Sequence, residues 1–415
     1  MSMSMFRGRR RTMLRLTMVL GLAAGGIVAS RVADAAPTTC QPRPYLVTAN
    51  TSSNVVTFWN SETFERVSTV ALKELTETPR KSSFPIGSWP TPDGRTVMVF
   101  NGNSADVDTI DVGTMSVVRN TPLPVGNSFA DRASPIQDDG ELFWLTTYPP
   151  QPSLYAIDVA SGEIARSFAD VPVTFANSRD GEVIYFAAGA LDGGALEVRD
   201  GSTLELLGSV ETRGSRVNVS PDDSTVFVQG PALPTGAATG YETYVVDAID
   251  VRNRANPRLL ARIPVPAGSW PGAFSPDGRQ FWVPFTDAPF VRVIDTRTFT
   301  ARDIHTGHSG QGVALTQGGR AFVTVSPQPV PPQQGISALA TYFGSMPGGA
   351  APGSSAEPRP FDAPGEVYVY DTTTLERLGE FTLPSNAFMP AVIEQPPRVA
   401  LDDAIAGSAC ATRRR

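Results

Sequence analysis

The repeating unit of this chain is complete in one segment, Ala267–Thr306, which reads AGSWPGAFSPDGRQFWVPFTDAPFVRVIDTRTFTARDIHT. A run of small residues leads into the turn Ser275-Pro276-Asp277-Gly278, in which proline presets φ and glycine accepts a positive φ. An apolar strand, Arg279 to Pro284, follows the turn. Phe290 to Asp295 then alternates in polarity, and Phe299 to Ile304 ends the unit. The pattern predicts a meander of four short strands.

Both halves of this unit recur at intervals of roughly 40 to 55 residues. The turn returns at Thr91-Pro92-Asp93-Gly94, Gln137-Asp138-Asp139-Gly140, Ser178-Arg179-Asp180-Gly181, Ser220-Pro221-Asp222-Asp223 and Thr316-Gln317-Gly318-Gly319. The outer half, usually apolar-x-Asp-x-x-Thr/Ser followed by a strand, returns at Val107 to Val118, Leu154 to Phe168, Leu196 to Val210, Val246 to Ile263 and Val367 to Phe381. Four strands per period are typical of a β-propeller blade.

The repeats predict seven blades, one of them split between the two ends of the chain. Six complete units start near Gly87, Ala133, Val173, Arg216, Pro271 and Gly312. Tyr45 to Leu72 has a second, third and fourth strand but no first strand, whereas Ala387 to Glu394 has a first strand and nothing after it. The expected fold is therefore an all-β, seven-bladed propeller of four-stranded antiparallel blades. Pairing the C-terminal strand with the N-terminal blade would close the ring and remove exposed sheet edges.

Residues 1–35 have the pattern of an export signal. Arg10-Arg11-Thr12-Met13-Leu14-Arg15 resembles a twin-arginine motif, and Ala33-Asp34-Ala35 fits a small-x-small cleavage site. The apolar core, Leu16 to Val28, falls short of the roughly 20 residues that a transmembrane anchor needs. We therefore expect a periplasmic or extracellular protein with no membrane span after the signal is removed. Residues 36–415 are expected to form a single propeller domain.

The net charge argues against two classes of partner. The full chain has a formal net charge of −7, and removal of the six arginines and one aspartate of residues 1–35 leaves 28 basic and 40 acidic residues, a net charge of −12. Such a surface, with no basic run except Arg413 to Arg415, does not favour binding to nucleic acid or to anionic membranes. A protein partner or a small molecule is expected instead.

The chain has two cysteines, Cys40 just after the signal and Cys410 near the end. A closed propeller brings its termini together, so an oxidising compartment favours a disulfide between them. Two other interpretations are weaker. A lipoprotein anchor at Cys40 lacks apolar residues before the cysteine, and a metal site would need more ligands.

Two insertions and all crossings between blades are expected on one face of the disc, opposite the short turns. The larger insertion, within Ser326 to Gly365 (residues 327–364), is rich in Pro, Gly and Ala and is expected to be irregular, apart from a helix-compatible segment at Ile336 to Phe343. A smaller one runs from Gln229 to Glu242. We call this side the insertion-bearing face, and it is where a propeller is expected to place binding residues.

The candidate ligand-binding residues are Trp89, Arg132, Arg213, Arg216, Trp270, His305 and His308. The tryptophans belong to two copies of Gly-Ser-Trp-Pro, and such repeated tryptophans are more typical of packing between blades than of ligand binding. Two histidines are too few for a closed metal site, and the arginines could pair with acids rather than with a ligand. Asp106 and Asp108 suggest calcium less well, because they lie beside an alternating strand without a ligand-rich loop.

The sequence contains no motif for catalysis or for a bound cofactor. It has no Gly-x-Ser-x-Gly, no phosphate-binding loop, no dinucleotide fingerprint and no Cys-x-x-Cys-His. No cofactor, metal site or catalytic residue is therefore expected, which favours a binding protein over an enzyme.

Two repeats resemble those of the YVTN-type seven-bladed propellers of exported bacterial and archaeal proteins. They are SPDGRQFWV followed by VRVIDTRTF, and TPDGRTVMV followed by VDTIDVGTM, and the resemblance covers roughly Tyr45 to Leu401. Val97 to Asn101 and Phe322 to Val325 depart from the strict Tyr-Val-Thr-Asn pattern. Such repeats occur in surface-layer-like proteins, heavy subunits of periplasmic amine dehydrogenases and propeller lactonases. No active residue of those enzymes matches a position here.

Two functional hypotheses follow. The first is an exported binding or scaffold protein that holds a protein partner or a small ligand on the insertion-bearing face. The alternative is an enzyme, either as a subunit of a periplasmic redox enzyme like the amine dehydrogenases or as a propeller hydrolase or lactonase. In the hydrolase, His305 or His308 would act as general base, because only histidine has an unperturbed pKa near neutrality.

The covalent part of ring closure can be tested directly. Non-reducing mass spectrometry of the mature protein is expected to show Cys40 bonded to Cys410, and Cys410→Ser should fold but melt at a lower temperature, because a disulfide usually contributes about 2 to 4 kcal/mol. Two free thiols, or a cysteine bonded to another chain, would refute the intramolecular disulfide.

Overall fold

The structure, a computed structural model, describes residues 44–74, 83–102, 104–124, 130–147, 152–172, 174–188, 194–214, 216–232, 243–266, 269–285, 288–327 and 363–396. The side chains of residues 130–132, 231–232 and 243–244 are excepted. The signal, both cysteines, and the apolar segment within the larger insertion all lie outside the described residues. In the described part of the chain, 28 strands form seven sheets and no residue is helical, so no helix there could cross a membrane.

Each sheet has four antiparallel strands, which confirms the predicted seven-bladed propeller. Blade 1 contains the split unit, with β1 Tyr45–Asn50, β2 Val55–Asn60, β3 Arg66–Ala71 and, innermost, β28 Ala387–Ile393. Blades 2 to 4 contain, from the channel outward, β4 Pro85–Pro90, β5 Thr96–Asn101, β6 Asp106–Asp111 and β7 Ser116–Pro122; β8 Ala130–Ala133, β9 Leu142–Thr147, β10 Ser153–Asp158 and β11 Ile164–Ala169; and β12 Phe175–Asn177, β13 Val183–Ala188, β14 Gly194–Asp200 and β15 Leu206–Thr212.

Blades 5 to 7 follow the same order. They contain β16 Arg216–Val219, β17 Thr225–Ala232, β18 Thr243–Asp250 and β19 Arg258–Val265; β20 Ala273–Phe274, β21 Gln280–Pro284, β22 Phe290–Asp295 and β23 Ala301–His305; and β24 Ser309–Leu315, β25 Arg320–Ser326, β26 Glu366–Asp371 and β27 Arg377–Thr382. The inner strands of blades 2 to 7 start within three residues of the predicted positions. The smaller insertion is shorter than predicted, because the β17–β18 ladder continues to the pair Ala232 and Thr243.

Ring closure occurs as the sequence predicted, by pairing of the two ends of the propeller. β28 runs antiparallel to β1, with Tyr45 opposite Ile393 and Asn50 opposite Ala387. The carbonyl of Asn386 accepts hydrogen bonds from both the backbone N–H and the hydroxyl of Thr51, each at 3.0 Å. The N-terminal blade therefore gains its inner strand from the other end of the described chain.

The six short turns between the first and second strands share one construction. In each, the backbone N–H of the fourth residue donates to the carbonyl of the first, as in Gly278 to Ser275 at 2.8 Å. The fourth residue has a positive φ of 69° in Gly278 and 54° in Asp223, which replaces glycine in one copy. The Ser275 hydroxyl also donates to Asp277, and this hydrogen bond holds the pKa of the Asp277 carboxyl below its usual range. Residue types at these turns therefore follow from backbone geometry.

In six of the seven blades, the turn between the third and fourth strands uses a left-handed residue of a different kind. The residue after the Thr/Ser of the motif has a positive φ, and most of these residues are large and apolar: Phe64, Met115, Leu204, Phe299 and Leu375, with glycine at Gly162. A left-handed conformation costs a non-glycine residue about 1 to 3 kcal/mol. The side chains offset this cost by packing on the preceding blade, as Phe64 does on Phe322 and Phe381 of blade 7.

Gly162 in blade 3 has no side chain to pack in this way. The guanidinium of Arg119, from the outer strand of blade 2, takes the place of an apolar side chain. It donates to the carbonyls of Val159 at 3.2 Å and Ala160 at 2.6 Å. The junction between blades 2 and 3 at this turn is therefore polar.

The core lies between neighbouring blades. Second strands are buried on both faces, and their aromatic side chains meet across the junctions, as Phe227 of blade 5 meets Phe281 of blade 6 at 4.9 Å between ring centroids. Burial of each such side chain contributes about 1.5 to 3 kcal/mol. Fourth strands are largely exposed, as in β23. This arrangement fixes the inner strands around a central channel.

Truncation after Leu383 tests the closure, because it removes β28. We expect aggregation or failed export, since the apolar strand β1 would then be left as an open sheet edge. Truncation after Pro396 is the control; it keeps β28 and should stay folded. A second variant that places residues 384–396 directly before Pro44 should restore the fold, because β28 and β1 would form a hairpin. Soluble yield and size-exclusion profile are the measurements, and a monodisperse protein without β28 would contradict the closure.

Candidate functional site

Inner strands of several blades contain an irregularity near the insertion-bearing face. The ladder between first and second strands shifts register between Pro85 and Gly87 in blade 2, between Ala130 and Arg132 in blade 3, and between Gly310 and Gly312 in blade 7. In blade 6, Ser269 pairs with Phe285 and the ladder resumes only at Ala273. Such bulges leave a residue out of the ladder and redirect its side chain.

Gln311 is the residue that the bulge of blade 7 leaves out. A Cβ atom at Gly310 would lie 2.8 Å from Cβ of Pro284 in blade 6, and one at Gly312 would lie 2.5 Å from Cδ of Pro390 in blade 1. The positions flanking Gln311 thus face the two neighbouring blades, and Gln311 lies between them in the bulge. Its side chain is 1% exposed, and neither amide atom has a hydrogen-bond partner among the described residues.

An aromatic and cationic group lies at the same end of the channel. The guanidinium of Arg216, at the start of the inner strand of blade 5, lies 4.7 Å from the ring centroid of Trp270 and donates to the carbonyl of Ser269 at 2.8 Å. The Trp270 ring in turn meets Phe388 of blade 1 edge to face at 5.6 Å between centroids. Because Trp270 belongs to blade 6 and Phe388 to blade 1, their contact spans blade 7, whose inner strand carries Gln311.

Two further polar side chains, Gln229 and Ser269, lie beside Trp270. The Gln229 side chain donates to the carbonyl of Trp270. The Ser269 hydroxyl is buried and has no hydrogen-bond partner in the part of the chain that the structure describes. Phe285 connects the two segments, because it pairs with Ser269 and accepts a hydrogen bond from Gly310, the residue before Gln311, at 2.8 Å. We name the residues of this site the channel-mouth cluster: Arg216, Gln229, Ser269, Trp270, Gln311 and Phe388.

The two tryptophans that the sequence grouped together differ in their position within the blade and in their burial. Trp89 lies two residues before Thr91, the first residue of its turn, whereas Trp270 lies five residues before Ser275. The two Gly-Ser-Trp-Pro copies are therefore out of phase by three residues and are not equivalent in their blades. Trp89 is buried in the core beside Phe143, with 5.4 Å between ring centroids, whereas Trp270 is half-buried and packs against the edge of the same core cluster through the channel mouth.

The histidines lie away from the channel-mouth cluster. His305 ends the outer strand of blade 6, is exposed, and has its ring 6.3 Å from that of Phe290. His308 lies in the crossing to blade 7, with its ring 6.3 Å from that of Tyr368. Neither of these ring contacts involves a residue of the channel-mouth cluster.

The remaining arginines differ from Arg216. Arg213 is exposed in the crossing between blades 4 and 5, where its backbone N–H donates to Asp247 at 2.9 Å. Arg132 pairs with Thr146 in blade 3 through its backbone, and its side chain lies outside the described part. Of the three candidate arginines, only Arg216 has a described side chain in the cluster.

Asp106 and Asp108 are held by amides rather than arranged for a cation. The Asn101 side chain donates to both carboxylates at 2.8 Å, and Asn120 donates to Asp108 at 2.8 Å. Burial raises the pKa of the Asp108 carboxyl, although these amide hydrogen bonds oppose the shift. No group of three or more His, Cys, Asp or Glu side chains suited to a metal was found in the described ranges.

A surface cavity on the opposite face is lined by charged side chains that are already paired with each other. It has a volume of about 320 Å³ and is lined by Asp250, Arg252, Asn253, Asn256 and Arg258. Arg252 and Arg258 donate to the Asp250 carboxylate at 2.6 and 2.9 Å, and these bonds, with Arg252 foremost, lower the pKa of Asp250. The pairing leaves this cavity a weaker candidate than the channel mouth.

Comparison with known proteins supports the fold. No protein-family model matches the chain, and no curated protein matches it in sequence. Among solved structures, it is similar to hydrazine synthase of Kuenenia stuttgartiensis (TM-score 0.50, 16% identity, covering 69% of this chain and 76% of that chain). It is also similar to a functionally unknown protein from Desulfotomaculum acetoxidans DSM 771 (TM-score 0.57, 12% identity, 85% and 99%). A third similar structure is dihydro-heme d1 dehydrogenase NirN in complex with DHE (TM-score 0.51, 15% identity, 87% and 77%).

The two tryptophans lie at different positions relative to the turn, and their replacement should therefore affect stability differently. Trp89→Ala should lower the free energy of unfolding by about 3 to 5 kcal/mol, because it empties a core site. Trp270→Ala should cost only about 1 to 2 kcal/mol, because this side chain is half-buried and its contact with Arg216 is worth about 1 kcal/mol. Urea unfolding of both variants measures the difference. Equal losses would mean that Trp270 is a core residue and not part of a binding site.

Proposed function

We propose that this chain is an exported binding protein that holds a protein partner or a small ligand on the insertion-bearing face of its propeller. The observation that carries the proposal is the channel-mouth cluster itself, in which a half-buried guanidinium and an aromatic pair are in contact at one end of the channel, and the blade between the pair carries an amide with no partner among the described residues. The larger insertion leaves β25 and returns to β26 on the same face. A partner could therefore contact the channel mouth and the insertion together.

The export and family parts of the proposal rest on the sequence. The twin-arginine-like motif at Arg10-Arg11 and the acidic residues 36–415 support a periplasmic or extracellular protein that binds neither nucleic acid nor anionic membrane. The SPDG turns and their outer strands support membership among the YVTN-type propellers. The propeller supplies a rigid scaffold, and function depends on the residues placed on it.

A redox subunit is the second candidate. Two of the similar structures are named hydrazine synthase and dihydro-heme d1 dehydrogenase, and these names favour a redox context for the propeller. Co-purification of the tagged chain with a redox protein would support this candidate. For the hydrolase alternative, substrate turnover that survives replacement of His305 and His308 by alanine would exclude either residue as the general base.

Replacing the larger insertion tests the proposed binding face. Val325 and Glu366 are paired in the β25–β26 ladder, so a short Gly-Asn-Gly turn can replace residues 328–362 without moving either strand. We expect an unchanged melting temperature and loss of partner capture from envelope extract. As a control, Arg279→Glu with Arg297→Glu alters the charge of the opposite face and should leave capture unchanged. Capture that survives the replacement would show that the face is assigned wrongly.

A further inference from the structure

We propose that the channel-mouth cluster binds a small neutral molecule that carries a hydrogen-bond donor beside an acceptor, such as a primary carboxamide or a lactam, and that Gln311 recognises this group. The inference deepens the proposed binding function and rests on it. It adds the chemical class of the ligand and a residue that the sequence did not single out.

Gln311 differs from the other buried amide side chains because both of its polar atoms, and not only one, lack a partner among the described residues. It is only 1% exposed to solvent, and neither its amide nitrogen nor its amide oxygen has a described partner. A buried polar group without a partner costs about 1 to 3 kcal/mol, and Gln311 presents two such atoms. Gly310 and Gly312 on either side face blades 6 and 1, so the bulge directs this amide toward the channel rather than into a blade junction.

The donor and acceptor atoms of the Gln311 amide determine which chemical class of ligand can bind. A primary carboxamide offers a donor and an acceptor side by side, and both are satisfied only by a group with the complementary pair. A carboxylate would leave the Gln311 carbonyl facing negative charge, and an ammonium would leave its NH₂ group facing positive charge. A carboxamide or lactam edge satisfies both atoms with two hydrogen bonds and brings no charge into a buried site.

The surrounding residues fit the remainder of such a molecule. Trp270 and Phe388, which meet edge to face across blade 7, supply an apolar wall for a ring or a short aliphatic body. The Ser269 hydroxyl, also without a described partner, can donate or accept one more hydrogen bond. Arg216 covers one side of the Trp270 ring and orients it.

The experiment uses benzamide as the probe on the full-length mature protein. Isothermal titration should show binding of benzamide, and benzoate and benzylamine, which have the same ring, should bind at least about tenfold more weakly. Tryptophan fluorescence should change on binding, because the probe would contact Trp270. Gln311→Leu should abolish the benzamide signal, whereas Gln317→Leu, an exposed glutamine on the opposite face, should leave it unchanged.

Stability provides a second readout. Gln311→Leu replaces an unsatisfied buried amide by an apolar side chain of similar size, so its melting temperature should rise by about 2 °C or more. A rise in melting temperature together with loss of binding is expected of a residue retained for ligand recognition. A structural glutamine that bonds only to buried water would instead lose stability on this substitution.

Three results would overturn the inference. They are absence of benzamide binding by the unaltered protein, equal binding of benzamide and benzoate, and a Gln311→Leu variant that melts lower and binds as before. Partner capture that still depends on residues 328–362 while benzamide fails to bind would remove the ligand assignment and leave the proposed function intact. Loss of both would remove the proposed function as well.

Discussion

The ladder between β1 and β28 is the interaction on which the rest of the structure depends. It joins segments far apart in the chain, as the hydrogen bond between Thr51 and Asn386 shows, with a sequence separation of 335 residues. Without this ladder blade 1 would lack its inner strand, and both neighbouring blades would lose the surface on which their inner strands pack. The chain loses the entropy of closing this long loop before the contacts of the ladder can stabilise it. We therefore expect slow folding.

The closing strand also shapes the channel. Met389 and Pro390 lie opposite Thr48 in a bulge, and Met389 has a positive φ of 36°. Gly312 of blade 7 lies against this bulge, so that the backbone of one inner strand touches the next. The same strand supplies Phe388 to the channel-mouth cluster. Ring closure and the candidate site therefore depend on the same few residues. A substitution in β28 should alter both the stability of the closed ring and the shape of the site.

The sequence predicted the fold well because the signals for the fold are local. Each turn such as Ser275-Pro276-Asp277-Gly278 has its own steric requirements, and each strand has its own alternation of polarity. The site was harder to predict, because its residues come together only in the closed ring. The identity of two Gly-Ser-Trp-Pro segments suggested equivalent positions, yet a shift of three residues relative to the turn separates Trp89 from Trp270. Gln311 had one visible signal, the glycines on both sides, but only the packing of neighbouring blades explains them.

The left-handed residues of the turns between the third and fourth strands make the junctions between blades, here called seams, differ in polarity. Phe64, Met115, Leu204, Phe299 and Leu375 each place an apolar side chain on the preceding blade. Blade 3 instead has Gly162, and the guanidinium of Arg119 takes the place of that apolar side chain. A seam held by a hydrated cation and backbone carbonyls resists water less than one held by a phenyl ring. Transient opening of the disc should therefore favour polar seams such as the one between blades 2 and 3, which lies only one blade away from the strand exchange that closes the ring.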